Sequence, residues 1–371
     1  MKYAKKWISI DDQVDLLTRG KGLGCNNVDD LKRSLETIGY YRLSAYWFPY
    51  KTSSGDGKTV FREGTTFDEL MRTYEFDRRL RLLMFEAVAR IEVFLRSRLA
   101  YFAAKEDGAF GYPDSARTKL SREYSAAKKS EQYIKHFANA YGDEHDLPPY
   151  WMMVECATMG TLELLFSKVS PSTRTAVASD LGVKVPVFKN WLSVLRVTRN
   201  ACCHHSRVWN REWGVCPKIP NAWSWSGVAN GRTFAVLSVI YHLLARIGDA
   251  AEPWRGELES LFEDFRDIGL DKVGVPSGWR DMTPWSRSEW PPSATSSSTG
   301  GSAVSGESCV LTCALSAAGG AAFVAPIHRS NLICFNVAAM DGSRNHRACN
   351  YPRITPFQAA CYESWWKIGN D

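Results

Sequence analysis

The stretch from Trp191 to Arg211, WLSVLRVTRNACCHHSRVWNR, begins with helical apolar spacing and ends in arginine, asparagine, cysteine and histidine. These residue types suit the cleavage of RNA by its own 2′-hydroxyl, which needs a base, an acid and positive charge on the transition state. Histidine exchanges protons near its ordinary pKa of ~6.5, and the planar fork of arginine binds two phosphate oxygens. Arg199 and His204 are therefore candidate catalytic residues, with Asn200 to orient the histidine or bond the phosphate.

The spacing of the two candidates constrains how such a site is built. On an ideal helix, residues five apart lie about 140° from each other around the axis, so the helix must bulge or end between Arg199 and His204, or the site must be composite. A two-fold dimer would bring two copies of the stretch face to face. His205, Arg207 and Asn210 follow the candidate site and are predicted to bind the RNA backbone.

The same stretch has two other interpretations. Cations are favoured at the C-terminal end of any helix by its dipole, so the basic residues after Ala201 also fit a purely structural role. Residues 202–205, CCHH, are metal-ligand types, but adjacent side chains point in different directions and do not all reach one ion. We therefore predict no metal and no cofactor.

A long helix is predicted from Phe67 to about Ala104, a stretch with neither proline nor glycine. One stripe along it mixes apolar and charged residues: Arg81, Phe85, Val88, Glu92 and Arg96. Glu92 and Arg96 are four residues apart and are either a structural ion pair or a polar pair lining the site, where they would contact RNA. Arg199 continues or borders a buried stripe, so it needs a partner such as Glu92 or a second subunit.

The remaining segments predict a helical protein. Ser9 and Asp12 form a capping-box pattern for a first helix that glycines end near residue 20. Residues 39–50, GYYRLSAYWFPY, carry aromatic side chains that either stack on RNA bases or pack in the core, and residues 51–66 are predicted to be a loop. Further helices are predicted over residues 28–38, 120–141, 151–169, 172–181, 234–248 and 257–266.

Composition narrows the class of protein. The formal net charge of +6 over 371 residues permits an acidic or nucleic-acid partner without requiring one. No apolar run approaches 18 residues and no apolar segment follows the basic N-terminus, so we expect neither a membrane span nor a secretory signal. A cytoplasmic location with reduced thiols is the resulting expectation.

The last part of the chain has a different character. SATSSSTGGSAVSG follows residue 292, and small residues and scattered cysteines continue without a helical period. We expect residues 286–371 to be a low-complexity, disordered tail. Its cysteines and one histidine lack the paired spacing of a zinc site; they are Cys309, Cys313, Cys334, His346, Cys349 and Cys361.

Several separated blocks, in order, carry a resemblance to a known family. They are IGYYRLSAYWFPY at residues 38–50, FREGTTFDEL at 61–70, YEFDRRLRLLMFEAVARIEVFLRSRLA at 74–100, LPPYWMMVECATMGTL at 147–162, the stretch at 191–211, and VGVPSGWRDMTPW at 273–285. Over about residues 10–285 the chain resembles the Abi-like family of bacterial abortive-infection proteins, of the AbiD/AbiF type, within the HEPN superfamily.

The resemblance implies an all-α fold: a HEPN-like helical bundle at 67–285, an additional N-terminal helical and aromatic region at 1–66, and an irregular C-terminal tail. It implies a metal-independent endoribonuclease in phage defence, with an Arg-x4–6-His motif at Arg199 and His204 and Asn200 after the arginine. His205 also fits the looser spacing. A single motif implies a homodimer, and the expected partner is RNA, either a target or a small non-coding RNA.

Two other classes of function remain open from the sequence. One is a non-catalytic RNA-binding HEPN protein that uses the same basic surface. The other is a protein-interaction module in phage defence, acting as a sensor or in the manner of an antitoxin. If His204→Ala retains RNA affinity and no cleavage is ever seen, the protein belongs to the first class and is not an enzyme. Strongly salt-dependent RNA binding counts against the second class.

Overall fold

A computed structural model describes residues 6–54, 58–223, 225 and 227–286. In this part of the chain the protein has twelve α-helices and one pair of short strands. The predicted all-α class is confirmed. The predicted tail, with its scattered cysteines, lies outside the described residues apart from Ser286.

The longest helix, α4, runs from Phe67 to Asp107 and is the element on which most of the other helices pack. Thr66 caps its start by accepting a hydrogen bond from the Glu69 amide, and the absence of proline and glycine allows it to continue for 41 residues. Its buried residues occur along the whole length, because helices cover it on several sides. The predicted long helix is confirmed.

The N-terminal region forms its own small core. It contains α1 (Ile10–Thr18), α2 (Val28–Thr37) and α3 (Tyr40–Trp47), and the predicted capping box at Ser9 is present. The prediction of a loop over residues 51–66 was wrong in part, since Lys51–Ser53 (β1) pairs antiparallel with Thr59–Phe61 (β2). The side chains of this region pack on the first turns of α4, and the predicted boundary at residue 66 stays a prediction.

Two predicted helices are each divided in the structure. Residues 114–141 form α5 (Asp114–Ser130) and α6 (Gln132–Tyr141), because Glu131 adopts an extended conformation with φ −83° and ψ 117°. Residues 150–168 form α7 (Tyr150–Cys156) and α8 (Met159–Lys168), because Ala157 is extended and Thr158 caps a new helix. The periodicity of apolar residues continues across both breaks, so it does not reveal them.

The remaining helices complete the main core around α4. They are α9 (Pro171–Asp180), α10 (Val185–Cys203), α11 (Thr233–Ile247) and α12 (Ala251–Asp264), followed by short 3₁₀ turns at Arg266–Ile268, Leu270–Lys272 and Trp279–Asp281. Trp285 is fully buried, stacks on Tyr241 at 4.5 Å between ring centroids, and donates from Nε1 to Ser238 Oγ at 2.8 Å. The chain is therefore anchored in the core up to this point.

None of the described helices is both long enough and apolar enough to cross a membrane.

His242 on α11 supports the helix that carries the candidate residues. Its ring lies 5.3 Å from Trp191 of α10 and 5.6 Å from Trp223, measured between centroids, and its Nε2–H donates to the Leu181 carbonyl at 3.0 Å. Desolvation by burial lowers the pKa of His242 from 6.5 to about 4, although the bond to Leu181 opposes this. His242 is therefore neutral in the folded protein at neutral pH.

We predict that acidification destabilises the fold through His242. The unfolded chain binds a proton there below pH 6.5, whereas the folded chain binds it only near pH 4. The free energy of unfolding should therefore fall as pH falls through this window, by up to about 3 kcal/mol. Urea denaturation between pH 7 and pH 4 measures this, and the fall should be smaller in His242→Gln, which keeps a donor for Leu181. Equal pH dependence in both proteins would contradict the prediction.

Candidate functional site

The helix carrying Arg199 ends immediately before His204. α10 is regular to Cys203, and the His204 amide still donates to the Asn200 carbonyl at 3.0 Å. The His205 amide then donates to Cys202 O at 3.1 Å, and the amide of the following serine to Ala201 O at 2.8 Å. These bonds form a Schellman motif, in which His205 takes the left-handed position with φ 54°. The helix therefore ends between Arg199 and His204, and it does not bulge there.

Arg199 is paired with the buried carboxylate predicted as its partner. Its Nε lies 3.8 Å from Glu92 Oε2, and Glu92 Oε1 lies 2.5 Å from Arg96 Nη2. The Glu92 side chain is 11% exposed, whereas that of Arg199 is 41% exposed. One buried carboxylate therefore lies between two guanidiniums and positions Arg199 at the surface while satisfying its own charge.

Arg96 also binds the end of a neighbouring helix. Its Nη1 donates to the carbonyl of Val154 and, at 3.0 Å, to that of Glu155, both in the last turn of α7. A cation is favoured there because the terminal carbonyls lack helical partners. Arg96 thus connects the break between α7 and α8 to the Glu92 carboxylate, and its contacts are with the protein.

Asp77, which was not singled out from the sequence, fixes the segment after the candidate motif. It is fully buried on α4, and its carboxylate accepts from Tyr46 Oη at 2.6 Å, from Arg81, and from the Val208 and Trp209 amides at 2.8 and 2.6 Å. Burial raises the pKa of Asp77, and these four donors oppose the rise by favouring the charged form. The signal available in the sequence was an Asp four residues before Arg81 on a mostly apolar stripe.

The predicted RNA-binding residues after His204 are largely engaged with the protein. Arg207 donates to the Ala45 carbonyl and, at 3.4 Å, to that of Asn210. The Asn210 side chain accepts from Arg232 at 2.8 Å, and its backbone has φ 47°. The His205 carbonyl accepts from Arg42 Nη1 at 2.7 Å. The bonds with Ala45 and Arg42 attach the segment to α3. Arg207 and Asn210 thus shape the surface beside His204.

His204, His205 and Asn200 have side chains directed to the exterior. All three residues are exposed, and within the described part of the chain no hydrogen bond involves either imidazole or the Asn200 amide group. Because α10 is regular up to His204, Arg199 and His204 lie on different sides of its axis, by about 140° in ideal geometry. The structure brings together Glu92, Arg96 and Arg199, and leaves His204 at the open end of the helix.

The thiols next to the histidines differ in environment. Cys202 is buried, and desolvation raises the pKa of its thiol from 9.0 to about 12, so it remains protonated at neutral pH. Cys203 is half-buried. Among the described residues, no group of three or more histidine, cysteine, aspartate or glutamate side chains is arranged to hold a metal ion.

Helix α3 presents aromatic side chains beside the same segment. Tyr46 and Trp47 are buried in the two cores, as the packing interpretation predicted, but Tyr41 is 92% exposed and Phe48 is 73% exposed. Phe48 is the C-cap residue of α3 and has helical backbone angles, φ −56° and ψ −42°, so at seven residues after Tyr41 it continues the same face. Since Arg42 contacts the His205 carbonyl, this exposed face adjoins the end of α10.

Comparison with known proteins bears on the same residues. A family model described as Abi-like protein matches residues 33–210, a little under half of the chain. The match shows a likeness to Abi-like proteins over these residues. It covers α3, α4 and α10, including Asp77, Glu92 and the segment that ends at Asn210. No curated protein and no solved structure gave a match.

We predict that Asp77→Ala is strongly destabilising. The substitution leaves the guanidinium of Arg81 and two amides buried without their acceptor, which typically costs about 3–5 kcal/mol. Asp264→Ala is the matched control, because Asp264 pairs with Arg79 at 3.6 Å on the surface, with side chains 62% and 49% exposed, where an ion pair contributes about 1 kcal/mol or less. Urea denaturation of both variants measures the difference. Similar small losses in both would show that the buried network contributes little.

Proposed function

We propose that this Abi-like protein is a metal-independent endoribonuclease of an abortive-infection system. The observation that carries the proposal is the Glu92–Arg199 pair, in which a buried carboxylate positions a guanidinium that remains 41% exposed. At 3.8 Å the contact with Glu92 is an ion pair rather than a hydrogen bond, and no described group accepts a hydrogen bond from the Arg199 side chain, so its nitrogens are available to a phosphate. An exposed histidine follows five residues later at the end of the same helix.

In the proposed reaction the RNA supplies the nucleophile. His204 removes the proton from a 2′-hydroxyl, the 2′-oxygen attacks the adjacent phosphorus, and the bond from phosphorus to the 5′-oxygen breaks. A protonated histidine gives its proton to the departing 5′-oxygen. The products carry a 2′,3′-cyclic phosphate and a 5′-hydroxyl. Arg199 stabilises the charge that develops on the phosphoryl oxygens, and the adjacent Asn200 contributes a neutral donor.

The reaction favours a homodimer of HEPN-like bundles. The general base and the general acid act on opposite sides of the phosphorus, so the reaction uses two proton-transfer residues. In addition, a regular α10 directs Arg199 and His204 of one chain to different sides of the helix axis. Two copies related by a two-fold axis supply two arginines and two histidines to one strand of RNA. In this arrangement the histidine of one protomer serves as base and that of its partner as acid.

A non-catalytic RNA-binding function is the second candidate, and the exposed face of α3 favours it. Tyr41 and Phe48 can stack on unpaired bases whether or not the strand is cut. A protein-interaction module is the third class, and it predicts that RNA affinity is weak and insensitive to salt. Cleavage and binding must therefore be measured separately.

We predict that Arg199→Ala and His204→Ala each abolish cleavage. Removing a general base or acid typically lowers the rate about 10²–10⁴-fold. Purified protein is incubated with single-stranded RNA, and the products are sequenced for 5′-hydroxyl ends, with and without EDTA. His136→Ala, which removes an exposed histidine from α6, should cleave as the wild type does. Loss of activity in EDTA, or full activity in the Arg199 and His204 variants, would exclude the proposed mechanism.

His205→Gly separates the two neighbouring histidines. Glycine suits the left-handed backbone at this position, so the helix end should keep its geometry and gain up to about 1 kcal/mol of stability. If His204 is the proton-transfer residue, His205→Gly retains cleavage while His204→Ala loses it. The opposite pattern would assign the role to His205.

We predict that Tyr41 contributes to the binding of single-stranded RNA. Stacking on an aromatic ring is worth about 1–3 kcal/mol per base, so Tyr41→Ala should weaken binding about 5- to 100-fold. Fluorescence anisotropy with the non-cleaving His204→Ala protein measures this, and Tyr41→Phe should restore affinity. Tyr141→Ala removes a 53% exposed tyrosine from α6 and serves as the control. Equal affinities for the Tyr41→Ala and Tyr141→Ala proteins would rule out stacking at Tyr41.

A further inference from the structure

A basic cavity lies on the side of α10 that faces α8. Its volume is about 430 Å³, and its lining comes from three helices: Lys119 of α5, Gly160, Glu163, Leu164 and Ser167 of α8, and Lys189 and Arg196 of α10. Three of these side chains are cations and one is a carboxylate. None of the cations was identified as a site residue from the sequence.

The carboxylate of the cavity is already engaged. Glu163 Oε2 lies 2.5 Å from Arg196 Nε, and Glu163 also accepts a hydrogen bond from the Ser193 hydroxyl. Lys119 and Lys189 have no ion pair or hydrogen bond within the described part of the chain. The lining therefore carries two positive charges in excess of its one negative charge.

Gly160 has no side chain, which leaves the space beside Lys119 and Arg196 open. A Cβ at this position would lie 3.4 Å from Lys119 Nζ and 3.4 Å from Arg196 Cδ, so the ammonium and the Arg196 side chain are separated by no more than twice that distance. The Arg196 guanidinium is paired with Glu163, whereas the Lys119 ammonium has no described counter-charge, so an anion that enters this space is attracted to Lys119. The absence of a Cβ at Gly160 thus lets the Arg196 side chain pack closely against α8.

The cavity adjoins the candidate catalytic surface. Arg196 precedes Arg199 by three residues, which makes them neighbours on the surface of α10. Lys189 lies about 15 Å from Arg199 along the helix axis, on the side away from His204. A strand of RNA bound at Arg199 and continuing along α10 therefore passes this cavity.

We propose that this cavity binds backbone phosphate of the RNA strand, a few nucleotides from the bond that is cut. The volume exceeds that of one phosphate group and lies within the range of about 300–1,000 Å³ that is usual for ligand pockets. Lys119 and Lys189 supply the charge, and Glu163 orients Arg196. The proposal rests on the proposed RNA-directed function, and it adds a positioning contact outside the site of cleavage.

The test is RNA binding by the full chain carrying Lys119→Gln and Lys189→Gln in the His204→Ala background. Fluorescence anisotropy with a labelled single-stranded RNA of about 20 nucleotides is measured over a series of salt concentrations. The double variant should bind about tenfold more weakly at low salt. The slope of log affinity against log salt should decrease by about 1 to 1.5, since each phosphate contact on a single strand contributes about 0.7.

The matched control carries Lys105→Gln and Lys129→Gln. Both lysines are exposed, neither lines the cavity, and the change in net charge is the same. The control should bind within about twofold of the parent protein. An equal loss of RNA affinity in both double variants would show that the effect depends only on the net charge of the protein, and it would overturn the proposal. If the Lys119 variant does not fold, Lys189→Gln alone, at an exposed position, should weaken binding about threefold.

The wild-type cleavage assay distinguishes failure of this proposal from failure of the proposed function. Cleavage by the wild type, with unchanged RNA affinity in the Lys119/Lys189 variant, would overturn the cavity proposal alone. Absence of cleavage, with weakened binding in that variant, would support the cavity proposal and exclude the nuclease. Absence of RNA binding in every protein would overturn both.

A competition experiment identifies the recognised group. A mononucleotide that displaces the RNA only when Lys119 and Lys189 are present would support phosphate as that group.

Discussion

Two buried carboxylates on α4 need partners for their charge, and each has at least one partner in the segment that carries the candidate site. Glu92 pairs with Arg199 of α10 and with Arg96, and Asp77 accepts from the Val208 and Trp209 amides as well as from Arg81. An unpaired charge in the core costs several kcal/mol. The chain from Arg199 to Trp209 is therefore attached to α4 at both ends, and His204 lies in the turn between them.

This arrangement places the candidate residues in distinct physical environments. Arg199 is attracted to a carboxylate that has been removed from water, while its own side chain stays 41% exposed. The His204 side chain has no described hydrogen bond, but its backbone is restrained by the Schellman motif that follows. Arg42 and Arg207 add bonds from α3 to the same turn. An arginine paired with a buried carboxylate, and an exposed histidine at the end of the same helix, suit a site that is completed by RNA and, in our proposal, by a second protomer.

Buried and partly buried charges also connect helices that are distant in sequence. Arg96 joins the Glu92 carboxylate to the last turn of α7, and Arg196 joins α10 to Glu163 of α8. Neighbouring arginines of α10 thus contact different helices, with Arg199 facing α4 and Arg196 facing the basic cavity. The helix that carries the candidate catalytic arginine is held on both sides by carboxylates.

The local sequence was sufficient to predict the elements that depend on interactions between nearby residues. The capping box at Ser9, the uninterrupted α4 and the termination of α11 at Gly248 depend on residues within a few positions of one another. The divisions at Glu131 and Ala157 and the strands around residues 51–61 were missed. Apolar periodicity does not record where a helix stops and restarts, and short strands form through their partner rather than through propensity.

The sequence by itself determined the all-α class, the chemical types in the RNACCHH stretch and the need of Arg199 for a partner. The tertiary structure decided that Glu92 is such a partner, that Arg207 and Asn210 bond to the protein, and that Asp77 secures the turn after His204. It also decided that Lys119 and Lys189, 70 positions apart in the chain, line one cavity. The reason is that hydrogen bonds to a buried charge are chosen by proximity in space, which the pattern along the chain does not specify.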